Sequence, residues 1–323
     1  MKKVDRSNDG YVRVSSLMVH GERQLGLELV AGAGGLRNII REGTVNRPGL
    51  ALSGFFDHFP HRRMQVLGLA EYAYLSCLSE KDRHTRLVDF FSRKLPCVII
   101  TRGRKVFPEI KALAEENNIP VFSTKMITMN FINAITILME NLMAPRMSVQ
   151  GTMVEIMGIG VLIEGSPSMG KSEAALGLIR KGYALVSDDI TALRLDSAGS
   201  LIGAPVNVTR YHMEIRGIGI IHVPSLFGVA SVRAEKKLDL VVTLCSSEAW
   251  KKMDQYMSVQ SKREFFGVPV PQIILPVAPG RDMSNIIETA ALDQRLKGLG
   301  HDATKELDEK LIQGMDLGKD ASE

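Results

Sequence analysis

The sequence predicts an α/β protein built from two domains. The chain has 323 residues, more than one typical domain holds. Two stretches that alternate strand-like and helix-like segments meet near Pro145. The second stretch carries a glycine-rich loop between a predicted strand and a predicted helix. We therefore predict an N-terminal α/β domain at residues 1–140, a second domain at 141–308 and a polar tail at 309–323.

In the first domain, strand and helix signals follow one another in alternation. Residues 96–101 form a short apolar run that is typical of a buried strand. Residues 107–117 repeat apolar side chains at helical spacing, and Pro108 suits a first helical turn. Residues 119–122 are predicted as the next strand, and residues 126–143 as a long helix almost without breakers. This order favours an α/β domain.

The second domain consists of short β-branched runs separated by glycine turns. A strand at residues 160–164 leads into the glycine-rich loop, and a helix at residues 171–181 follows that loop. The other predicted elements are strands at residues 183–187, 191–195, 238–244 and 272–277 and a helix at residues 283–297. The residues from about 308 onward are polar and interrupted by glycine, which predicts a frayed tail.

Composition argues against several functional classes. Hydrophobic residues make up 45% of the chain and charged residues 24%, which supplies two folded cores. The net charge of +4 is spread along the chain, so no basic stripe for nucleic acid is expected. No apolar run reaches the roughly 18 residues that span a bilayer, and the polar N-terminus predicts a cytoplasmic protein. Cys77, Cys97 and Cys245 lack metal-ligand spacing, and we expect buried, reduced thiols.

The glycine-rich loop is the strongest chemical signal. It fits the pattern G-x-x-x-x-G-K-[ST] through Gly165, Ser166, Pro167, Ser168, Met169, Gly170, Lys171 and Ser172. Successive backbone N–H groups and the following helix N-terminus form a cradle for phosphate oxygens. The Lys171 ammonium adds a point charge for phosphates, and the Ser172 hydroxyl is a ligand for Mg²⁺. The loop therefore predicts a nucleotide site with magnesium. Ser168 stands where a second glycine would give the backbone more freedom.

Acidic and basic residues after the loop are candidates for the chemistry. Asp188 and Asp189 follow the strand at residues 183–187, where carboxylates hold a metal or accept a hydroxyl proton. Taken alone, two adjacent aspartates more often mark a turn. Glu214 and Arg216 flank a glycine-rich segment and by themselves equally fit a surface ion pair. Arg281 is displayed by a Pro-Gly turn, where an arginine can stabilise phosphoryl charge if the fold brings it close.

With these motifs in place, the chain resembles the bacterial HPr kinase/phosphorylase family along almost its whole length. The matching segments are residues 47–50, 56–57, 59–61 and 101–103 in the first domain, and residues 165–173, 187–189, 214–221, 226–228 and 279–281 in the second. Enzymes of this family phosphorylate a serine of HPr, a small phosphocarrier of bacterial sugar uptake, with ATP or pyrophosphate as donor. They also remove that phosphate by phosphorolysis, and they assemble as hexamers. The resemblance thus implies a P-loop kinase domain with a mixed sheet.

The resemblance also implies roles for individual residues. Lys171 and Ser172 become the phosphate and magnesium residues, and Glu214 a second magnesium ligand. Asp189 would take the proton from the serine in the kinase direction and return it in the reverse, while Asp188 would support a metal-bound water. The resemblance further implies that residues 214–221 serve both directions and residues 276–281, with Arg281, chiefly dephosphorylation.

The chain departs from the family pattern at a few positions. Gln150 occupies the place of a catalytic histidine, Ser168 that of a loop glycine, and His222 that of an aspartate. The position of a catalytic arginine falls at Gln255 or Ser258, depending on the gap placed. A glutamine amide neither takes nor gives a proton at neutral pH, so a relay through Asp189 would lose its second member.

The residues that match the family pattern and those that depart from it lead to two possible functions from different classes. The first is an enzyme that phosphorylates an HPr-like phosphocarrier with Mg²⁺ and ATP or pyrophosphate. The second is a catalytically reduced paralogue that binds nucleotide and acts as a regulatory module. The retained Lys171, Ser172, Asp188, Asp189 and Glu214 favour the enzyme, and the departures favour the paralogue. A third alternative is a P-loop kinase that acts on a small molecule. It is disfavoured, because it would not account for the family matches in the N-terminal domain.

Overall fold

A computed structural model describes residues 10–206, 210–252, 261–303 and 305–306. The chain divides into two compact units between Pro145 and Arg146. Both units mix helices with β-sheets, so the α/β prediction is confirmed. Within the described ranges no helix is both long and apolar enough to cross a membrane. The predicted tail at residues 309–323 lies outside the described residues.

The N-terminal unit is built on a five-stranded sheet in the order β2-β7-β6-β5-β4. Strands β4 to β7 run parallel, and β2 pairs with β7 in the antiparallel direction. The elements of this unit are β1 (Val12–Arg13), α1 (Val14–Leu25), β2 (Glu28–Ala31), β3 (Ile39–Ile40), β4 (Val45–Asn46), α2 (Gly49–Leu52), β5 (Met64–Leu67), α3 (Leu69–Cys77), α4 (Glu80–Phe91), β6 (Val98–Ile100), α5 (Pro108–Glu116), β7 (Val121–Ser123) and α6 (Thr128–Met143). A short 3₁₀ helix spans Ala33–Arg37.

Helices cover both faces of this sheet, which explains its continuous apolar strands. On one face α4 and α5 pack against Val98 and Ile100. On the other face α1 and α6 pack against Ile99 and Phe122. Because both faces are buried, β6 reads as an uninterrupted run of Val and Ile rather than an alternating one.

The cysteines differ from the expectation of buried thiols. Cys97 is fully buried before β6, and burial raises the pKa of its thiol. Cys245 is half-buried, and Cys77, the last residue of α3, is exposed. The expectation was wrong for Cys77 because this position lies on the outer face of its helix. All three are free thiols.

The C-terminal unit contains a six-stranded mixed sheet in the order β11-β9-β10-β17-β19-β18 and a four-stranded antiparallel sheet in the order β16-β13-β12-β8. The elements are β8 (Arg146–Gln150), β9 (Thr152–Ile156), β10 (Ile159–Gly165), α7 (Lys171–Arg180), β11 (Ala184–Ser187), β12 (Ile190–Leu195), β13 (Leu201–Pro205), β14 (His212–Ile215), β15 (Gly219–His222), α8 (Val223–Phe227), β16 (Lys236–Lys237), β17 (Leu240–Ser246), α9 (Ser247–Lys251), β18 (Ser261–Phe265), β19 (Val268–Val277) and α10 (Met283–Gly298).

Two cores sandwich the six-stranded sheet. On one face α7 and α10 bury Ile163 and Val242. On the other face Leu162 and Val241 pack against Leu193 and Leu201 of the four-stranded sheet. Alternate residues of each strand point to opposite faces, so both cores draw on the same strands.

Strand β19 is longer than the sequence predicts. The predicted strand spans residues 272–277, whereas β19 begins at Val268 and contains Pro269 and Pro271. Pairing with β17 starts only at Gln272, so residues 268–271 have β18 as their one sheet neighbour. A proline lacks the N–H that a second neighbour would require, and such an edge tolerates it.

Candidate functional site

The candidate site lies where the chain crosses from one sheet of the C-terminal unit to the other. Gly151 separates β8 of the four-stranded sheet from β9 of the six-stranded sheet. Asp188 and Asp189 make the same crossing between β11 and β12. The backbone N–H of Gly151 donates to the carbonyl of Asp189 over 2.8 Å, which joins the two crossings. Side chains at these positions therefore project beside the C-terminal end of β11.

The glycine-rich loop connects the end of β10 to the start of α7. Gly165 has φ 155°, and a Cβ there would come within 2.9 Å of the Leu244 carbonyl on the adjacent strand. Gly170 precedes α7 in the left-handed conformation with φ 81°. The Lys171 side chain is buried, and its Nζ donates to the carbonyls of Gly165 and Ser166 over 3.2 and 3.3 Å. The ammonium is thus held against the loop itself, at the N-terminus of α7.

Asp188 joins three separate parts of the site. Its Oδ1 accepts hydrogen bonds from Thr152 Oγ1 at 2.8 Å and from Ser172 Oγ at 3.0 Å. Its Oδ2 accepts the backbone N–H of Glu214 at 3.2 Å. The carboxylate is only 7% exposed, so these bonds form away from bulk water. Asp188 therefore fixes the loop serine and the strand that carries Glu214 relative to each other.

Asp189 has a different environment from its neighbour. It is exposed and adopts the left-handed conformation with φ 61°, which Asp tolerates better than most residues. Within the described residues its side chain has no hydrogen-bond partner, so both oxygens can accept an incoming proton. Gln150 is also exposed and ends β8 opposite Ile190. Its backbone lies next to Asp189, and no hydrogen bond links the two side chains in the described part of the chain.

The predicted metal ligands provide oxygen donors. Ser172 Oγ and Asp188 are in contact, and Glu214 follows on β14 with an exposed side chain that makes no ion pair among the described residues. Across those residues no group of three His, Cys, Asp or Glu side chains forms a metal cluster. A hydroxyl and carboxylates fit Mg²⁺, which takes few protein oxygens and keeps several waters. The residues present thus suit this ion.

Hairpin β14–β15 lies against the glycine-rich loop through a second contact. Met213 and Ile215 are buried against α7, so the alternating Glu214 and Arg216 face outward. Arg216 Nη2 donates to Ser168 Oγ over 2.7 Å. Ser168 is in the left-handed conformation with φ 69°. Arg216 is therefore held at the loop rather than in a surface pair with Glu214.

The remaining predicted residues occupy the surroundings of the site. Arg281 is exposed in the turn after β19, whose C-terminal end lies at the same sheet edge as Gly165. The two strand ends are separated by β17, which is about 10 Å across the sheet. His222 ends β15, and its ring lies 5.0 Å from that of His212 across the hairpin. Gln255 and Ser258 lie outside the described residues.

Some residues of the site were not predicted from the sequence. Thr152 is fully buried and binds Asp188, yet it looks like any polar residue within an apolar run. Glu164 directly precedes the glycine-rich loop and is 14% exposed. Burial raises the pKa of its carboxyl, and Arg263 at 3.8 Å opposes that rise. The signal for Glu164 was available, because a charge inside the apolar run at residues 160–164 requires a partner.

Comparisons with known proteins match both units. The HPr Serine kinase N terminus matches residues 12–139, and the HPr Serine kinase C-terminal domain matches residues 141–311. HPr kinase/phosphorylase from Leptospira biflexa is 43% identical over 289 residues, which cover 89% of this chain and 90% of that protein. The corresponding protein of Caldicellulosiruptor bescii is 36% identical over 303 residues, covering 93% and 96%.

A further relative agrees with this match, and one solved structure covers half of the chain. HPr kinase/phosphorylase from Treponema pallidum is 38% identical over 293 residues, covering 90% of this chain and 92% of that protein. The structure of the Hpr(Ser) kinase/phosphatase from Coxiella burnetii is 35% identical, covers 50% of this chain and 97% of that chain, and has a TM-score of 0.44. Since the family profiles and the relatives span both units, the chain belongs to the HPr kinase/phosphorylase family.

Proposed function

We propose that this protein is a protein serine kinase that transfers a phosphoryl group from ATP, with Mg²⁺, to a serine of an HPr-like phosphocarrier. One observation carries the proposal. Asp188 binds the loop hydroxyl of Ser172 and the backbone of Glu214 together, while the exposed side chain of Asp189 beside it has no hydrogen-bond partner among the described residues. A phosphate cradle, two carboxylates for a metal and a free proton acceptor then lie together. These are the parts that in-line phosphoryl transfer requires.

Each residue has a distinct task in this reaction. The backbone N–H groups of the loop and the start of α7 bind phosphate oxygens, and Lys171 adds positive charge. Ser172 and Glu214 would hold Mg²⁺, which when bound neutralises phosphate charge, and Asp188 would support a metal-bound water. Asp189 accepts the proton of the attacking serine hydroxyl. Arg216 is positioned at the loop by Ser168, where its guanidinium can contact a phosphate oxygen.

The surface around the site supports a protein as the acceptor. Ile218 and Ile220 on hairpin β14–β15 are 73% and 74% exposed. Leu226 on α8 is 62% exposed, and Val229 just beyond it is 85% exposed. Exposed apolar groups clustered on consecutive elements are typical of protein contacts and are of no use to a small polar acceptor. The same hairpin carries Glu214, so a protein docked there would reach the site.

The direct test uses the carrier named by the relatives. Purified protein is mixed with HPr from the same organism, ATP and Mg²⁺, and phosphoserine is detected as added mass. We expect one phosphate per HPr molecule at a single serine. Nucleotide binding without any phosphorylation of HPr would instead support the regulatory paralogue, the function that Gln150 favours.

A prediction about direction follows from Gln150. Phosphorolysis must return a proton to the leaving serine oxygen, and a glutamine cannot tune the protonation of the adjacent Asp189 except by hydrogen bonding. Gln150→His should raise phosphorolysis about 10²-fold, at the lower end of general acid–base contributions, and kinase activity far less. The measurement is pyrophosphate release from phosphoserine-HPr and inorganic phosphate.

Ser148→His is the matched control for this variant. Ser148 is exposed and lies two residues earlier on the same face of β8, opposite Ala192. An imidazole at residue 148 would lie two residues farther along the strand from Asp189 than one at residue 150. Phosphorolysis by this control should therefore stay at the wild-type rate. Robust phosphorolysis by the wild-type protein would show that Gln150 does not limit this direction.

The bond between Ser168 and Arg216 gives a further prediction. Ser168→Ala and Ser168→Gly should each raise the KM for ATP about 2- to 10-fold, the worth of one hydrogen bond. Their free energies of unfolding should diverge, because glycine removes a left-handed penalty of about 1–2 kcal/mol that alanine retains. Thermal unfolding and steady-state kinetics measure both quantities. If only the alanine variant, the less stable of the two, lost ATP affinity, Ser168 would serve folding rather than the position of Arg216.

The architecture of the family extends the proposal to assembly. We propose that the protein is a cytoplasmic hexamer or trimer with its C-terminal units at the centre. The match of both units to the family supports this assembly. Light scattering at micromolar concentration should return three or six times the chain mass of 35.5 kDa. A monomer under those conditions would contradict it.

A further inference from the structure

A basic cavity lies in the N-terminal unit, apart from the residues discussed so far. It has a volume of about 830 Å³ and lies at the edge of the five-stranded sheet where β5, β6 and β7 begin. Four cations line it, namely Arg37, Arg41, Arg62 and Lys94. We propose that this cavity binds a small polyanion of the phosphate-ester or polyphosphate class.

The charge of the cavity is uncompensated. No Asp or Glu is among its lining residues, and none of the four cations forms an ion pair with another described residue. The nearest carboxylate along the chain, Glu42, is already engaged by Arg63 Nε at 2.6 Å. All four cations are exposed, so water screens their mutual repulsion, and a bound anion adds an attraction to each of them. The four cations therefore offer positive charge without a protein counter-ion to an anionic ligand.

The cavity wall is fixed by close backbone packing. Asn38 Nδ2 donates to the Asn118 carbonyl over 3.0 Å and to the Pro96 carbonyl over 3.3 Å. A Cβ added at Gly35 would come within 1.9 Å of the Asn118 carbonyl oxygen, so only glycine permits this approach. These contacts join the short helix that ends at Arg37 to the turn before β7. A pre-formed wall lowers the entropy lost when a ligand binds.

Cations are often found at helix C-termini, where they neutralise the helix dipole, but this explains only some of the four cations that line the cavity. Lys94 follows the C-terminus of α4, where a cation complements the helix dipole. Arg41 follows β3 and Arg62 precedes β5, so neither lies at a helix terminus. Both residues nevertheless line the same cavity as Lys94. Their shared location is explained by a common ligand.

The chemistry of the lining selects the ligand class. Guanidinium groups bind phosphate and carboxylate oxygens through two parallel hydrogen bonds, and three arginines favour a ligand with more than one anionic group. The volume lies within the range of about 300–1,000 Å³ that holds small molecules. Phosphate esters and polyphosphates combine this size with several charges.

The test uses inorganic tripolyphosphate as the probe in titration calorimetry. The full chain carries Lys171→Ala throughout, which weakens the glycine-rich loop as a competing polyphosphate site. We expect this protein to bind one equivalent of tripolyphosphate. Adding Arg41→Ser and Arg62→Ser should weaken that binding at least about tenfold, since each charged hydrogen bond contributes more than a neutral one.

The control variant has the same net charge. Arg63→Ser with Arg93→Ser, on the same Lys171→Ala background, also removes two positive charges, each beside a lining residue in the sequence. Arg63 is paired with Glu42, and Arg93 lies over the Phe56 ring at 4.3 Å, so neither lines the cavity. This control should retain the affinity of its parent.

Two outcomes would overturn the proposal. The first is absence of tripolyphosphate binding in the Lys171→Ala protein. The second is an equal loss of affinity in the control, because binding would then follow net charge rather than the cavity. Circular dichroism checks that each variant is folded. If the Arg41/Arg62 double variant unfolds, the single variants replace it, and each should lose affinity at least about threefold.

Discussion

Replacing Lys171 with alanine is expected to lower the turnover of HPr phosphorylation by about 10²–10³-fold, the cost of removing one pre-organised charge from a reacting oxygen. The Lys171 ammonium is buried at the N-terminus of α7 and is held by two loop carbonyls. It is therefore already near the position that phosphate oxygens would occupy. Initial rates at saturating ATP and the dissociation constant for ATP measure the effect.

A control at the other end of the same helix separates this role from folding. Lys181 follows α7 and pairs with Glu288 at 2.6 Å. Lys181→Ala removes an amine from the same region without touching the loop, and it should cost at most about 1 kcal/mol of stability. Its turnover should match the wild type. Equal ATP affinity and equal turnover in Lys171→Ala and wild type would contradict the role of the loop in binding phosphate.

The parts predicted best from the sequence are those whose signal is local. The glycine-rich loop, the strand before it and the helix after it lie within about twenty consecutive residues, and β10 and α7 begin within one residue of the prediction. The fixed spacing of this motif is enough to predict its structure, because the loop leads directly into the helix whose N-terminus completes the phosphate site. No distant contact is needed to recognise it.

The features of the site that were not predicted depend on contacts between residues far apart in the sequence. Asp188 was predicted from its neighbours, but its bonds to Thr152 and Glu214 join residues 36 and 26 positions away. The contact between Ser168 and Arg216 spans 48 positions. A single sequence does not show such pairings, because side chains far apart in the chain meet only when the sheets assemble.

The strands of the N-terminal unit before residue 96 also carried too little local signal. Strands β1, β3 and β4 have two residues each, and β2 and β5 have four. Periodicity requires a longer window than these strands provide. Their pairing partners hold them in place instead. The long helix α6, with sixteen residues, was predicted to within two residues at its start.

Asp189→Asn provides the sharpest test of proton transfer. Asparagine has nearly the same shape and also tolerates the left-handed backbone, so the free energy of unfolding should change by less than about 0.5 kcal/mol. The amide cannot accept the serine proton, and turnover should fall about 10²–10⁴-fold. The KM for ATP should stay unchanged, because the Asp189 side chain binds none of the predicted phosphate or metal residues in the described part of the chain.

The two directions of the reaction should respond unequally to this variant. A loose phosphoryl-transfer transition state needs little deprotonation of the attacking hydroxyl, which places the kinase direction near the smaller loss. Phosphorolysis needs a proton delivered to the serine oxygen as it leaves, which places that direction near the larger loss. Asp293→Asn, which removes a partly exposed carboxylate on α10 that pairs with Lys297, controls for the lost charge and should leave both rates unchanged. If Asp189 takes no part in proton transfer, Asp189→Asn should have the same two rates as Asp293→Asn. Equal rates in the two variants would therefore contradict a role of Asp189 in the reaction.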